Sequence, residues 1–167
     1  VQTGEQIQAA ILPGHDSQVR ATLVARYEEQ EGVSATIYDL DFEGKYQLVH
    51  SSPTTSTVEL FFPFPHNLET LHDVEFLVDG EEPPQVQFTT QSISWHTVLQ
   101  PGEEHEIVIS YKADGANSFA YGLPRGQRSN VDIVIKVLGL TGSQIPRAFL
   151  PVTANEVDDD GETFVWD

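Results

Sequence analysis

The chain has 167 residues, of which 39% are hydrophobic and 10% aromatic, enough apolar material to bury the core of one domain. Its 26 acidic residues against 8 basic ones give a formal net charge of −18, which repels phosphate backbones and anionic lipid and so argues against a nucleic-acid partner. No run approaches the ~18 consecutive apolar residues of a membrane helix, so no direct membrane insertion by this segment is expected. The absence of cysteine excludes a disulfide framework, a thiolate zinc site and a cysteine nucleophile together.

Along the chain the prevailing period is two, the spacing at which a strand places alternate side chains on opposite faces. Val1-Gln2-Thr3-Gly4 shows no apolar signal segment and the chain contains no methionine, so it is read as a processed product or an excised fragment. Glu5 to Leu12 is the one helical candidate, although its Ile7/Ala9/Ile11 alternation fits a strand equally. Strands are then expected over Val19–Tyr27, Ser34–Phe42 and Lys45–His50, with Glu43-Gly44 as a tight hairpin between the last two. Ser51-Ser52-Pro53-Thr54-Thr55-Ser56 follows as a polar surface loop. Further strands are expected over Thr57–Phe62, Val74–Val78, Gln85–Thr90, Ser92–Leu99, Glu106–Ala113, Ser118–Leu123, Val131–Leu138 and Thr163–Trp166. Pro13-Gly14, Asp79-Gly80, Pro101-Gly102, Asp114-Gly115 and Asp160-Gly161 supply the corners, because glycine reaches positive φ and proline presets the first turn. Many short strands with turn punctuation and no βα alternation predict an all-β fold, an antiparallel β-sandwich of about ten or more strands. A single domain over 1–167 is expected, with residues 1–18 as a short N-terminal extension compatible with the same pattern.

Three stretches carry resemblances. Val98-Leu99-Gln100-Pro101-Gly102-Glu103-Glu104-His105-Glu106-Ile107-Val108-Ile109-Ser110-Tyr111 resembles a segment of bacterial immunoglobulin-like sandwiches, in which a leucine tucks under a Pro-Gly-Glu turn that feeds a core strand ending in tyrosine. Leu99 would anchor the loop, and Ile107, Ile109 and Tyr111 would enter the core. Ala148-Phe149-Leu150-Pro151, then Asp160-Gly161 and Trp166, is similar to the end of extracytoplasmic segments in the CreD family of bacterial inner-membrane proteins. Phe61-Phe62-Pro63-Phe64-Pro65 is similar to the aromatic-Pro-Leu-Pro step of the N-terminal domain of inter-α-trypsin inhibitor heavy chains, with Phe64 in place of the leucine. The resemblances imply an extracellular or periplasmic β-sandwich and transfer no catalytic residue.

Few clusters suggest chemistry. Asp158, Asp159, Asp160 and Glu162 surround Gly161, and clustered carboxylates beside a flexible glycine suit Ca²⁺, which takes six to eight oxygens; an acidic turn explains the same residues. Asp39 and Asp41 are two apart and share a strand face, as a hydrolytic carboxylate pair or a solvated surface would. His66 and His72 lie six apart, too far to share one ion directly, and none of His15, His50, His66, His72, His96 and His105 forms His-Glu-x-x-His. Gly122-Leu123-Pro124-Arg125-Gly126-Gln127-Arg128 has no following helix to hold phosphate, and reads as a loop. In Phe61-Phe62-Pro63-Phe64-Pro65 the even positions are expected to face the core and Phe61 to point outward. Phe61 and Phe64 are the candidate contacts for a partner or a sugar ring.

The expectation is a non-catalytic recognition or spacer domain, extracytoplasmic and tethered through a larger membrane-associated protein, with no obligatory cofactor and a protein or carbohydrate partner. A carbohydrate-binding sandwich with Ca²⁺ support is the first alternative, and a carboxylate-dependent hydrolase using Asp39 and Asp41 the second. The acidity fits either a secreted surface or a saline medium.

Overall fold

In the computed structural model, residues 7–11, 15–123, 130–145 and 152–167 are described, and these contain eleven strands and no helix. β1 (Ile7–Ile11), β4 (Ser56–Pro63), β7 (Ser92–Leu99) and β6 (Val86–Phe88) form a four-stranded sheet in the order β1-β4-β7-β6. The larger sheet has seven strands. Across it lie β10 (Ala154–Val157), β11 (Gly161–Trp166), β9 (Val131–Leu138), β2 (Asp16–Gln30), β3 (Val33–Val49), β8 (Glu104–Ala116) and β5 (Leu68–Val78). The proposed extension thus divides: β1 joins the small sheet, and Asp16 to Gln18 already belong to β2. Pro13-Gly14, Pro124 to Arg128 and Ala148 to Pro151 lie outside the described residues.

The two sheets face one another across one core. In β3 the even residues Tyr38, Leu40, Phe42, Tyr46 and Leu48 are buried, while the odd residues from Asp39 to Val49 are exposed. Phe62 of β4 reaches across the layers to Phe42, Tyr46 and Tyr111, with ring centroids 5.9, 6.0 and 6.4 Å apart. Trp95 of β7 meets Phe76 of β5 at 5.9 Å. Tilted and edge-on contacts of this kind add to the burial of each ring, itself about 1.5–3 kcal/mol. Leu99, Ile107, Ile109 and Tyr111 are all buried, as their pattern requires.

Three expectations are corrected. The sandwich is mixed rather than wholly antiparallel, because β1 runs parallel to β4 and β2 parallel to β9. Alternation of side chains is the same in both arrangements, so it carries no information on strand direction. Glu43-Gly44 is no hairpin, and Asp114-Gly115 is no turn. Both glycines lie inside long strands, where the Tyr46 ring covers Gly44 and the Tyr38 ring covers Gly115 so closely that a Cβ would collide with the ring. The hairpin between β2 and β3 turns instead at Glu31-Gly32, with φ of +52° and +80°, the paired positive angles of a type I′ turn. Ser118 to Leu123 forms no strand, yet Phe119, Tyr121 and Leu123 pack against the core. The Tyr121 and Tyr46 hydroxyls lie 2.9 Å apart, and Tyr38 Oη donates to the Ser118 carbonyl at 2.8 Å. Side-chain alternation there records burial, while the backbone belongs to neither ladder.

Candidate functional site

The outer face of the four-stranded sheet carries the exposed aromatic residue anticipated at Phe61. Val58, Leu60 and Phe62 are buried to 3% or less, and Phe61 between them is 38% exposed. Ser94 of β7 pairs with it in register, and Gln87 of β6 pairs with Ser94 on the far side. One row away Glu59 pairs with His96, where Oε1 and Nε2 lie 3.4 Å apart. Beyond them Thr57 pairs with Val98, which is 54% exposed. The face therefore offers one apolar ring flanked by hydroxyl, amide, carboxylate and imidazole groups. Phe64 is different. It is 4% exposed, with its ring 5.2 Å from Tyr111 and 5.8 Å from Phe62, so it is a core residue and no surface contact. Phe64 N–H donates to the Gln91 carbonyl just past the end of β4, which keeps the inward alternation for one more residue.

The acidic cluster at the β10–β11 turn is directed apart. Asp158 Oδ1 accepts from the Asp160 and Gly161 amides, each at 2.9 Å, and so closes its own turn. Glu162 is buried, and its two oxygens accept from the Gly142 and Ser143 amides, each at 2.9 Å. Those amides hold its carboxyl below the ordinary carboxylate range, with burial opposing them. Asp159 and Asp160 face solvent. Among the described residues no three His, Asp or Glu side chains are gathered to hold a metal ion.

Asp39 and Asp41 stand on the outer face of the seven-stranded sheet. Asp39 faces Asp114 in register, an unfavourable pairing of like charges. Arg26 Nη1, 2.8 Å from Asp39 Oδ2, and the Thr70 hydroxyl, which donates to Asp114, relieve it. Lys112 Nζ turns to Asp73 at 3.8 Å. Arg20, Arg26, Lys45, Lys112 and Lys136, every Lys and Arg among the described residues, sit on this one face. A shallow open depression of about 450 Å³ runs among Thr22, Val24, Asp39, Asp41, His72 and Lys112.

A histidine site emerges that sequence reasoning passed over. His105 Nδ1 lies 2.7 Å from Asp79 Oδ2, and its Nε2 lies 3.1 Å from Glu103 Oε1. Its only signal in the sequence is parity, since His105 shares the inward face of β8 with Ile107, Ile109 and Tyr111. His66 lies in the turn before β5 while His72 projects from β5 beside Asp73 at 3.6 Å, so these two share no strand.

Comparison with known proteins places few constraints on this site. No protein-family model matches the chain, and no curated protein matches it. Among solved structures it is similar to a Legionella pneumophila protein described as a "putative nutrient binding protein", at 11% identity and a TM-score of 0.47. That likeness covers 96% of this chain and 66% of the other.

Proposed function

We propose that this chain is a non-catalytic recognition domain of an extracytoplasmic, membrane-associated protein, of immunoglobulin-like type, and that it makes contact through the outer face of its four-stranded sheet. The observation that supports this reading is the exposure of Phe61 on a strand face that also carries Glu59, Ser94, His96 and the exposed Val98. A large ring left 38% exposed on the solvent side is removed from water on binding, which supplies affinity. The flanking groups favour a carbohydrate as the ligand. A sugar ring presents an apolar C–H face that stacks on an aromatic ring, and hydroxyls that pair with groups such as Ser94, Gln87, Glu59 and His96.

The test is a glycan array followed by calorimetry on the intact chain and on Phe61→Ala. The expected result is a glycan signal that falls at least about tenfold in the variant, a loss of 1.4 kcal/mol or more, with the melting temperature unchanged. A blank array, or binding indifferent to Phe61, would overturn the carbohydrate reading. Titration with Ca²⁺ in the same calorimeter checks the supporting-ion alternative, for which no heat is expected from the β10–β11 turn.

A further inference from the structure

We propose that His105 is a pH-operated latch that ties together the connections between the two sheets at one end of the sandwich, closed while its ring carries both protons and released when it loses one. The chain passes from the large sheet to the small one, or back, in three places at this end. His50 begins the β3–β4 connection, Asp79 lies in the β5–β6 turn and Glu103 lies in the β7–β8 turn. His105 meets two of them directly, at 2.7 Å and 3.1 Å. The third joins through the backbone, since His50 N–H donates to the Glu103 carbonyl and Gly102 N–H donates to the His50 carbonyl, each at 2.9 Å.

The protonation requirement follows from the donor inventory. A carboxylate only accepts, and a neutral imidazole has one N–H, so both contacts are hydrogen bonds only in the imidazolium form. Neither carboxylate is free to swing aside. Asp79 Oδ1 accepts from the Glu106 amide at 2.9 Å, and Glu103 Oε2 accepts from the Gln100 amide at 2.6 Å. A neutral ring therefore opposes one fixed oxygen lone pair to lone pair, and that side of the latch lets go. The other titratable groups nearby are His50, whose Nε2 donates to the Thr54 carbonyl at 3.0 Å, and the carboxylates of Glu81 in the β5–β6 turn and of Glu104 and Glu106 on β8.

The titration has a definite sign. Partial burial lowers the pKa of His105, and the hydrogen bonds and charges of Asp79 and Glu103 outweigh it, so the ring is held above its ordinary 6.5. The hydrogen bond from His105 holds Asp79 below 3.8, and the Gln100 amide is the first cause that holds Glu103 below 4.5. The histidine contribution is complete below 6.5 and is lost as pH rises through the raised value. The carboxylate contributions are complete above their ordinary values and are lost as pH falls through the lowered ones. The latch is thus fully engaged from about pH 4.5 to 6.5.

NMR titration of the His105 ring, with amide protection factors for residues 79–82 and 100–104 between pH 5 and 9, tests this on the intact chain. In the wild type the ring should titrate above 6.5, and protection of both loops should fall about threefold to tenfold in step with it. His105→Gln should make loop protection independent of pH, and the conservative Asp79→Asn should lower the ring's pKa while the fold persists. A ring that titrates at or below 6.5, or loop protection in His105→Gln that follows the wild-type pH course, overturns the latch. Neither readout depends on any ligand, so this test and the glycan test fail separately.

Discussion

The two sheets of this protein solve the problem of their outer faces in different ways. On the seven-stranded sheet every described Lys and Arg is present, and cross-strand pairs such as Arg26 with Asp39 and Lys112 with Asp73 neutralise part of a dense carboxylate surface. On the four-stranded sheet β4 and β7 expose instead Phe61, Val98 and a single Glu59–His96 pair. A wide sheet that holds many acidic residues side by side needs basic residues between them, because like charges opposite one another destabilise the ladder. The narrow sheet holds few charges, and two of its rings, Phe61 and Phe88, are left partly exposed.

That contrast can be broken or sharpened by experiment, beginning with what the sheets share. Phe62, with Trp95, is one of the rings through which the small sheet packs against the large one. Phe62→Ala is expected to cost about 3–5 kcal/mol in denaturant unfolding, or roughly 6–20 °C in melting temperature at 2–4 °C per kcal/mol. A cost near that of an exposed residue would mean that the sheets do not share one core.

The next effect separates the sheets by their tyrosines, none of which lies in a strand of the four-stranded sheet. Burial first, then the Glu69 charge, pushes Tyr38 up to about 12, and burial raises Tyr46, Tyr111 and Tyr121 as well. An unfolded chain releases these protons near pH 10 while the native chain keeps them, so stability falls as pH rises above 10. Urea unfolding at pH 8 and at pH 11 measures the loss, and Tyr46→Phe with Tyr121→Phe should diminish it. The smallest effect belongs to the surface pairs. Asp39→Asn breaks an ion pair whose side chains are both 54% exposed, so a change within about 1 kcal/mol is expected, decreasing further in high salt. A larger loss would show that charge pairing holds the wide sheet together.

Much of the fold was legible because burial on one face imposes a period of two. Ser92–Leu99 and Val131–Leu138 were read with their boundaries intact, and the outward aim of Phe61 followed from its neighbours. Glu43-Gly44 and Asp114-Gly115 misled, because a glycine beneath a tyrosine ring looks the same in sequence as a glycine at a corner. β10 escaped notice, since Ala154 to Val157 is exposed throughout and shows no alternation. Glu162 stood among aspartates that suggested a cation, yet its real partners are the amides of Gly142 and Ser143, some twenty residues away.

By itself the sequence determined the class of the fold, the inward and outward faces of most strands, and the excess of negative charge. All of these are properties of single residues or of their nearest neighbours along the chain. Tertiary structure alone decided strand direction, the gathering of Lys and Arg on one face, the burial of Phe64, and the meeting of Asp79, Glu103 and His105. Those depend on which segments lie side by side, and alternation along a strand is blind to the identity and direction of its neighbour.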